Sequence, residues 1–150
     1  MYRFSSKRRG GFMRITDISP ILQGKKVVIV DDGLCVNRML SHICRTYFKA
    51  QEVIALSSFQ AAENITIRNG TIDLVVLDIQ LNKDNDAGIT LGKIIKRAHD
   101  TPILFINDEK ITDEQQLEID RMTNKAFEFK PITIEALYNA FKYLLVNFAR

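Results

Sequence analysis

The stretch KKVVIVDD, residues 25–32, decides the fold expected of this chain, because a short apolar run ends in two adjacent acids. The four residues at 27–30 are all apolar and β-branched, which is typical of a strand buried on both faces of a parallel sheet. Asp31 and Asp32 follow at once. Neighbouring carboxylates repel each other and are costly to desolvate, so a divalent cation, a basic side chain or exposure should compensate them.

Short apolar runs alternate with amphipathic stretches along the rest of the chain. Between the runs, and after the last one, apolar residues recur at helical spacing. This alternation predicts an α/β fold, with a five-stranded parallel sheet covered by helices on both faces. The strands are predicted at 27–30, 52–56, 72–78, 102–106 and 126–129.

Capping patterns predict where several helices begin. The pairs Ser57 with Gln60 and Thr112 with Gln115 have the spacing of capping boxes, and Thr133 is a further candidate cap. The fourth helix is predicted at about 112–123 with Leu117 and Met122 as its apolar anchors. The apolar stripe of the last helix consists of Ile134, Leu137, Phe141, Leu144, Leu145 and Phe148.

Composition limits the class of protein. The chain has 150 residues, of which 46% are hydrophobic and 26% are charged, as expected for one globular domain. It has no apolar run near the ~20 residues that span a bilayer, so we expect no membrane span. Its two cysteines are too few for a disulfide framework, and its two histidines are not in metal-ligand spacing with them. We therefore expect a cytoplasmic protein.

The excess positive charge lies at the N-terminus. Residues 1–24 carry five basic residues and one acidic residue, which leaves 16 basic and 17 acidic residues in the remainder. A basic segment can contact nucleic acid or an acidic membrane surface. Its Ser-Lys-Arg-Gly stretch, residues 5–11, has no interleaved aromatic residues of the kind that stack on bases, and we interpret the segment as a flexible tail. The domain is predicted at 25–150.

Polar residues follow the strands at the edge where a parallel sheet places its ligand crevice. Three carboxylates in one crevice need a cation, and hard oxygen ligands indicate Mg²⁺, with Mn²⁺ as a further possibility. A carboxylate beside such a metal can attack phosphorus and carry an aspartyl phosphate. The residues expected there are Asp31 and Asp32 after the first strand, Asp78 after the third, Asn107 and Asp108 after the fourth, and Lys130 after the fifth.

These residues carry a resemblance to a known family. VVIVDD, then DLVVLD at 73–78, then Phe127 three residues before Lys130-Pro131, resembles the receiver domain of two-component response regulators. The resemblance covers nearly all of residues 25–148 and implies the flavodoxin-like strand order 2-1-3-4-5. It further implies a phosphoacceptor domain of a phosphorelay and not an enzyme.

The resemblance also implies residue roles. Asp78 would be the phosphoacceptor. Asp32 would bind the metal directly and Asp31 through water, with the main-chain carbonyl of Gln80 as another ligand. Lys130 would bind the phosphoryl group and precede a cis peptide bond to Pro131. The switch aromatic would be Phe127.

The resemblance implies partners as well. A histidine kinase or phosphotransfer protein would donate the phosphoryl group. A downstream protein or a second copy of the chain would bind the face formed by the fourth helix, fifth strand and fifth helix. Because the sequence stops soon after the last predicted helix, we expect no output or DNA-binding domain in this chain.

The fourth strand departs from the family pattern. Asn107 stands where a serine or threonine usually binds the phosphoryl oxygen, and Asp108 stands where a small residue is expected. The alternative is therefore a pseudo-receiver, a protein-interaction module that works without phosphorylation. A phosphatase of the haloacid-dehalogenase type is disfavoured, because it needs a second acid at the position of Gln80.

Overall fold

The structure is a computed structural model that describes residues 18–68 and 71–147. The flexibility predicted for residues 1–17 and the packing predicted for Phe148 therefore fall outside the described residues. Strands and helices alternate from start to end. The strands are β1 (Lys26–Val30), β2 (Glu52–Leu56), β3 (Leu74–Asp78), β4 (Ile103–Asn107) and β5 (Lys125–Phe129). The helices are α1 (Leu34–Thr46), α2 (Phe59–Arg68), α3 (Ala87–Ala98), α4 (Asp113–Asp120) and α5 (Ile134–Asn147).

The five strands form one parallel sheet in the order β2-β1-β3-β4-β5. This confirms the predicted fold class and strand order. The register pairs Val30 with Leu77 and Asp78 with Ile106, so β1, β3 and β4 end at nearly the same level. The order reverses between β1 and β3, and their carboxyl ends therefore flank the crevice where such sheets bind ligands.

Two apolar cores cover the two faces of the sheet, because successive strand residues point to opposite sides. On one face Val27 and Ile29 pack with residues of α1 and α5, such as Leu40 and Phe141. On the other face, Val28 and its same-side neighbours pack with α2, α3 and α4. Burial on both faces explains why the strands are apolar at almost every position.

The sequence analysis placed the start of the domain at Lys25, but the packed structure begins before that residue. Leu22 is completely buried, and its main-chain N–H donates to the carbonyl of Phe48 at 3.0 Å. The hydroxyl groups of Ser19 and Tyr138 lie 3.0 Å apart. The segment 18–24 is thus held by apolar burial and hydrogen bonds against the ends of α1 and α5.

The helix starts agree with two of the three capping predictions. Thr112 and Gln115 form the capping box at the start of α4. The hydroxyl of Thr133 accepts a hydrogen bond from the main-chain N–H of Ala136 at 3.0 Å. At α2 the hydroxyl of Ser58, and not that of the predicted Ser57, accepts a hydrogen bond from the main-chain N–H of Ala61. The cap therefore lies one residue later than the pattern indicated.

Helix α4 is shorter than predicted and turns a different face to the core. It ends at Asp120, and its buried side chains are Gln115 and Ile119, which lie one turn apart. Leu117 lies between them in sequence and therefore points away from the core. It is 53% exposed, so its predicted role as an anchor is wrong.

Candidate functional site

The carboxyl end of β1 holds a buried and an exposed aspartate side by side. Asp31 is completely buried, and its Oδ1 accepts a hydrogen bond from the N–H of Gly33 at 2.7 Å. Asp32 is exposed, and its Oδ2 accepts from the main-chain N–H of Asn82 at 2.9 Å. Adjacent residues at a strand end point in different directions, so only one carboxylate is buried.

Lys130 joins the ends of β1 and β3. Its Nζ lies 2.9 Å from Oδ2 of Asp31 and donates to Oδ2 of Asp78 at 3.0 Å. The main-chain N–H of Lys130 donates to the carbonyl of Asn107 at 2.7 Å, which fixes the lysine beside β4. Only 14% of the lysine side chain is exposed, so its charge lies in the interior beside the two buried carboxylates and offsets theirs.

The electrostatics of the pocket follow from burial. Burial raises the pKa of Asp78 to about 7, with the charge of Asp31 acting in the same direction and Lys130 opposing it. Burial by itself lowers the pKa of Lys130. The bonds and charges of Asp31 and Asp78 outweigh that effect and raise this pKa above its usual value. The pocket therefore holds more negative charge than one ammonium group neutralises.

The carboxylates fit a hard divalent cation. Asp31, Asp32 and Asp78 each offer an oxygen atom, and the three oxygens lie within 4.8 Å of one another. An oxygen-only donor set suits Mg²⁺ or Mn²⁺ better than zinc. Three carboxylates, one ammonium group and one divalent cation sum to zero charge.

The end of β4 is built differently. Asn107 is buried, and its Nδ2 donates to the main-chain carbonyl of Glu109 at 2.9 Å, so the amide turns back onto its own loop. Its Oδ1 has no hydrogen-bond partner within the described residues. Asp108 is exposed to solvent. The structure thus brings Asp31, Asp78 and Lys130 together but directs the amide donor of Asn107 elsewhere.

The remaining predicted residues lie around this pocket. Gln80 lies two residues beyond Asp78, at the start of the β3–α3 loop. The peptide bond between Lys130 and Pro131 is cis. Phe127 is completely buried in β5, and its ring packs edge-on against that of Phe129, with the centroids 4.8 Å apart.

Asn37 is a buried residue of the site that our sequence reasoning missed. It lies in α1, and its Nδ2 donates to the carbonyls of Asp31 and Leu56 at 3.0 and 2.9 Å. The side chain thus links the ends of β1 and β2 below the pocket. The sequence signal for this residue was its amide side chain one turn before the apolar Leu40, on the same buried face of the helix.

Comparison with known proteins identifies the family. The family model described as the response regulator receiver domain matches residues 27–142. The chain therefore belongs to the response regulator receiver domain family, as the sequence motifs predicted. No curated protein matches the sequence.

Solved structures share the fold at low sequence identity. A two-component response regulator from Clostridium difficile is 23% identical, with a TM-score of 0.70, over 84% of this chain and 99% of the other. A CheY-like receiver domain protein from Methanospirillum hungatei is 19% identical, with a TM-score of 0.70, over 82% and 94%. The receiver domain of the histidine kinase CKI1 from Arabidopsis thaliana, solved with Mg²⁺ and BeF₃⁻, is 20% identical, with a TM-score of 0.68, over 83% and 92%.

Membership of the family fixes the general function. This chain contains a receiver domain of a two-component system. Receiver domains are signalling modules and are generally not enzymes. Receiver domains bind Mg²⁺ at an acidic pocket and interact with histidine kinases or phosphotransfer proteins. Among the described residues, no helix is long and apolar enough to cross a membrane.

Proposed function

We propose that Asp78 accepts a phosphoryl group and carries it as an aspartyl phosphate. The observation that carries this proposal is the position of its carboxylate, which bonds Lys130 at 3.0 Å and shares a pocket with Asp31 and Asp32. An oxygen of Asp78 attacks the phosphorus of a phosphohistidine, and the phosphorus–nitrogen bond of the donor breaks. The donor is a histidine kinase or a phosphotransfer protein.

The metal in this proposal is Mg²⁺, or Mn²⁺. Asp32 would hold it directly and Asp31 through water, with Asp78 and the main-chain carbonyl of Gln80 as further ligands. A bound divalent cation favours the ionised, nucleophilic form of Asp78, whose pKa burial otherwise raises to about 7. Lys130 then contacts a phosphoryl oxygen and offsets its charge.

Asn107 has a conditional role in this reaction. One N–H of its amide donates to the carbonyl of Glu109, so a bond to a phosphoryl oxygen needs either the release of that carbonyl or the second N–H of Nδ2. Signalling through the end of β4 then requires that the β4–α4 loop moves with Asn107 and that the buried ring of Phe127 responds. We propose that the response reaches a downstream protein, or a second copy of the chain, at the α4–β5–α5 face, where Leu117 offers exposed apolar surface.

The second candidate is a pseudo-receiver that binds its partner without phosphorylation. It is favoured by the same amide, because in this conformation an N–H group of Asn107 holds the main chain of its own loop. The two candidates share the fold and the partner face. They differ in whether Asp78 is modified.

A small phosphodonor, such as acetyl phosphate, separates the candidates. We expect intact mass spectrometry to show one added phosphoryl group on the wild type in the presence of Mg²⁺, and none with a chelator. The Asp78→Asn variant should remain unlabelled. Asp113→Asn, at an exposed aspartate of α4, is the matched control and should be labelled like the wild type.

Two results would decide against phosphorylation at this site. Equal labelling of Asp78→Asn and wild type would place the modification on another residue. Absence of labelling in every protein, together with absence of Mg²⁺ binding by calorimetry, would support the pseudo-receiver.

A further inference from the structure

The side chain of Gln115 connects two loops that border the acidic pocket. It lies in the first turn of α4, is buried, and belongs to the capping box with Thr112. Its Nε2 also donates to the main-chain carbonyl of Asn85 at 2.9 Å and to Oδ1 of Asp86 at 2.8 Å. These partners lie about thirty residues away in sequence, in the β3–α3 loop.

The partners of Gln115 fix the orientation of its amide. Oε1 accepts from the main-chain N–H of Thr112 at 2.9 Å, and an N–H group can only donate. The carbonyl of Asn85 can only accept, so Nε2 must face the loop. Both N–H groups of the amide are used, and one of them bonds an ionised carboxylate, which strengthens the link.

The β3–α3 loop touches the pocket at its other end. The main-chain N–H of Asn82 donates to Oδ2 of Asp32, one of the three clustered carboxylates. Beyond Asp86, Gly88 packs so closely on the main chain of Asp78 and Ile79 that a side chain there would clash. The loop therefore runs from the pocket to α4 with a hydrogen bond at each end.

We propose that Gln115 is a positioning residue that couples the β3–α3 loop to α4, so that occupancy of the acidic pocket is transmitted to α4 through this loop. The proposal deepens the proposed function, on which it rests for the nature of the occupant. Binding of a cation at Asp32 changes the carboxylate that Asn82 bonds, and the loop moves with it. Gln115 carries that movement to the first turn of α4.

The substitution Gln115→Glu breaks this link and leaves the helix cap in place. The new carboxylate can still accept from the N–H of Thr112, but it cannot donate to the loop and it repels Asp86. In the double variant Gln115→Glu with Asp86→Asn, the new amide at position 86 can donate to the new carboxylate. The double variant therefore restores a bond between loop and helix with the donor and acceptor exchanged.

The experiment is amide NMR during a titration with MgCl₂. In the wild type we expect shifts in the loop at 80–86 and in α4. In Gln115→Glu the loop should still shift, but the α4 shifts should fall at least about threefold, and the double variant should recover them. Equal α4 shifts in wild type and Gln115→Glu would overturn the proposal, and so would a failure of the double variant to recover them while it stays folded.

A second perturbation needs no metal. Asp32→Ala removes the acceptor of Asn82 and should shift α4 amides in the wild-type background but not in the Gln115→Glu background. If the wild type bound no Mg²⁺, the proposed function would fail, and this comparison would still decide whether loop and helix are coupled. No difference between the two backgrounds would overturn the coupling.

Discussion

The pocket at the ends of β1, β3 and β5 differs from the end of β4 in how its polar groups are satisfied. In the pocket, the ammonium group of Lys130 forms ion pairs with two carboxylates at the ends of other strands, Asp31 and Asp78. At β4, Asn107 bonds the main chain of Glu109, only two residues away. The first region is held by contacts between distant parts of the chain, and the second by its own loop.

The difference shows why the pocket has the stronger claim to a function. Buried charges need partners, and a pocket that remains acidic after it has its ammonium group attracts a cation. An amide that bonds its own loop stabilises a turn, and because it is uncharged it needs no ionic partner. The proposed phosphoryl chemistry is therefore best tested in the pocket, and the proposed response to phosphorylation is best tested at β4.

The largest effect is expected from Lys130→Met, which removes the ammonium group and keeps most of the apolar volume. Asp31 and Asp78 would then be buried without their ionic partner, and the free energy of unfolding should fall by about 3 kcal/mol at pH 7.5 without metal. Urea denaturation measures this change.

The matched control is Lys125→Met, at the other end of the same strand. Its ammonium group lies near the carbonyl of Asp120 at the surface, and we expect a loss below about 0.5 kcal/mol. Equal losses in the two variants would show that the charges of the pocket do not depend on Lys130.

The second-largest effect is expected from Asp78→Asn, which should change how the free energy of unfolding depends on pH. Burial raises the pKa of Asp78 from 3.8 to about 7, so the folded state binds this proton more tightly than the unfolded state. The contribution of Asp78 to the free energy of unfolding therefore falls as pH rises from about 4 to about 7. Without metal, the free energy of unfolding of Asp78→Asn should therefore rise by about 2 kcal/mol, relative to that of the wild type, between pH 5 and pH 8.

The control for this pH series comes from the end of β4. Asp108 is exposed and lies outside the pocket, and we expect Asp108→Asn to change the free energy of unfolding by less than about 0.5 kcal/mol. If the free energies of unfolding of the wild type and of Asp78→Asn changed in parallel from pH 5 to pH 8, the result would contradict the buried, charge-crowded pocket described above.

The fold could be predicted from the sequence because it depends on patterns within short segments. Apolar runs and helical spacing determine the alternating elements, and the acids at strand ends then converge because parallel strands end at one edge. Side-chain direction could not be predicted in this way. The turn of Asn107 toward Glu109 depends on loop geometry, and the bond from Gln115 to Asn85 joins segments 30 residues apart.

The smallest effect is expected at β4, from Asn107→Ala. The variant loses the hydrogen bond to Glu109, but it also removes Oδ1, a buried acceptor without a partner in the described chain. Because these two effects oppose each other, the free energy of unfolding should fall by no more than about 1 kcal/mol. Hydrogen exchange in the β4–α4 loop, 108–112, should become faster, since the amide no longer holds it.

Asn107→Thr then tests whether that local bond limits the response of the loop. A threonine hydroxyl is too short to hold the loop as the amide does, yet it can donate to a phosphoryl oxygen. With acetyl phosphate and Mg²⁺, hydrogen exchange in 108–112 should change more in Asn107→Thr than in the wild type. A wild-type loop that responds at least as strongly would show that the bond from Asn107 to Glu109 does not limit the response, and that the amide serves the phosphoryl group as well as a hydroxyl would.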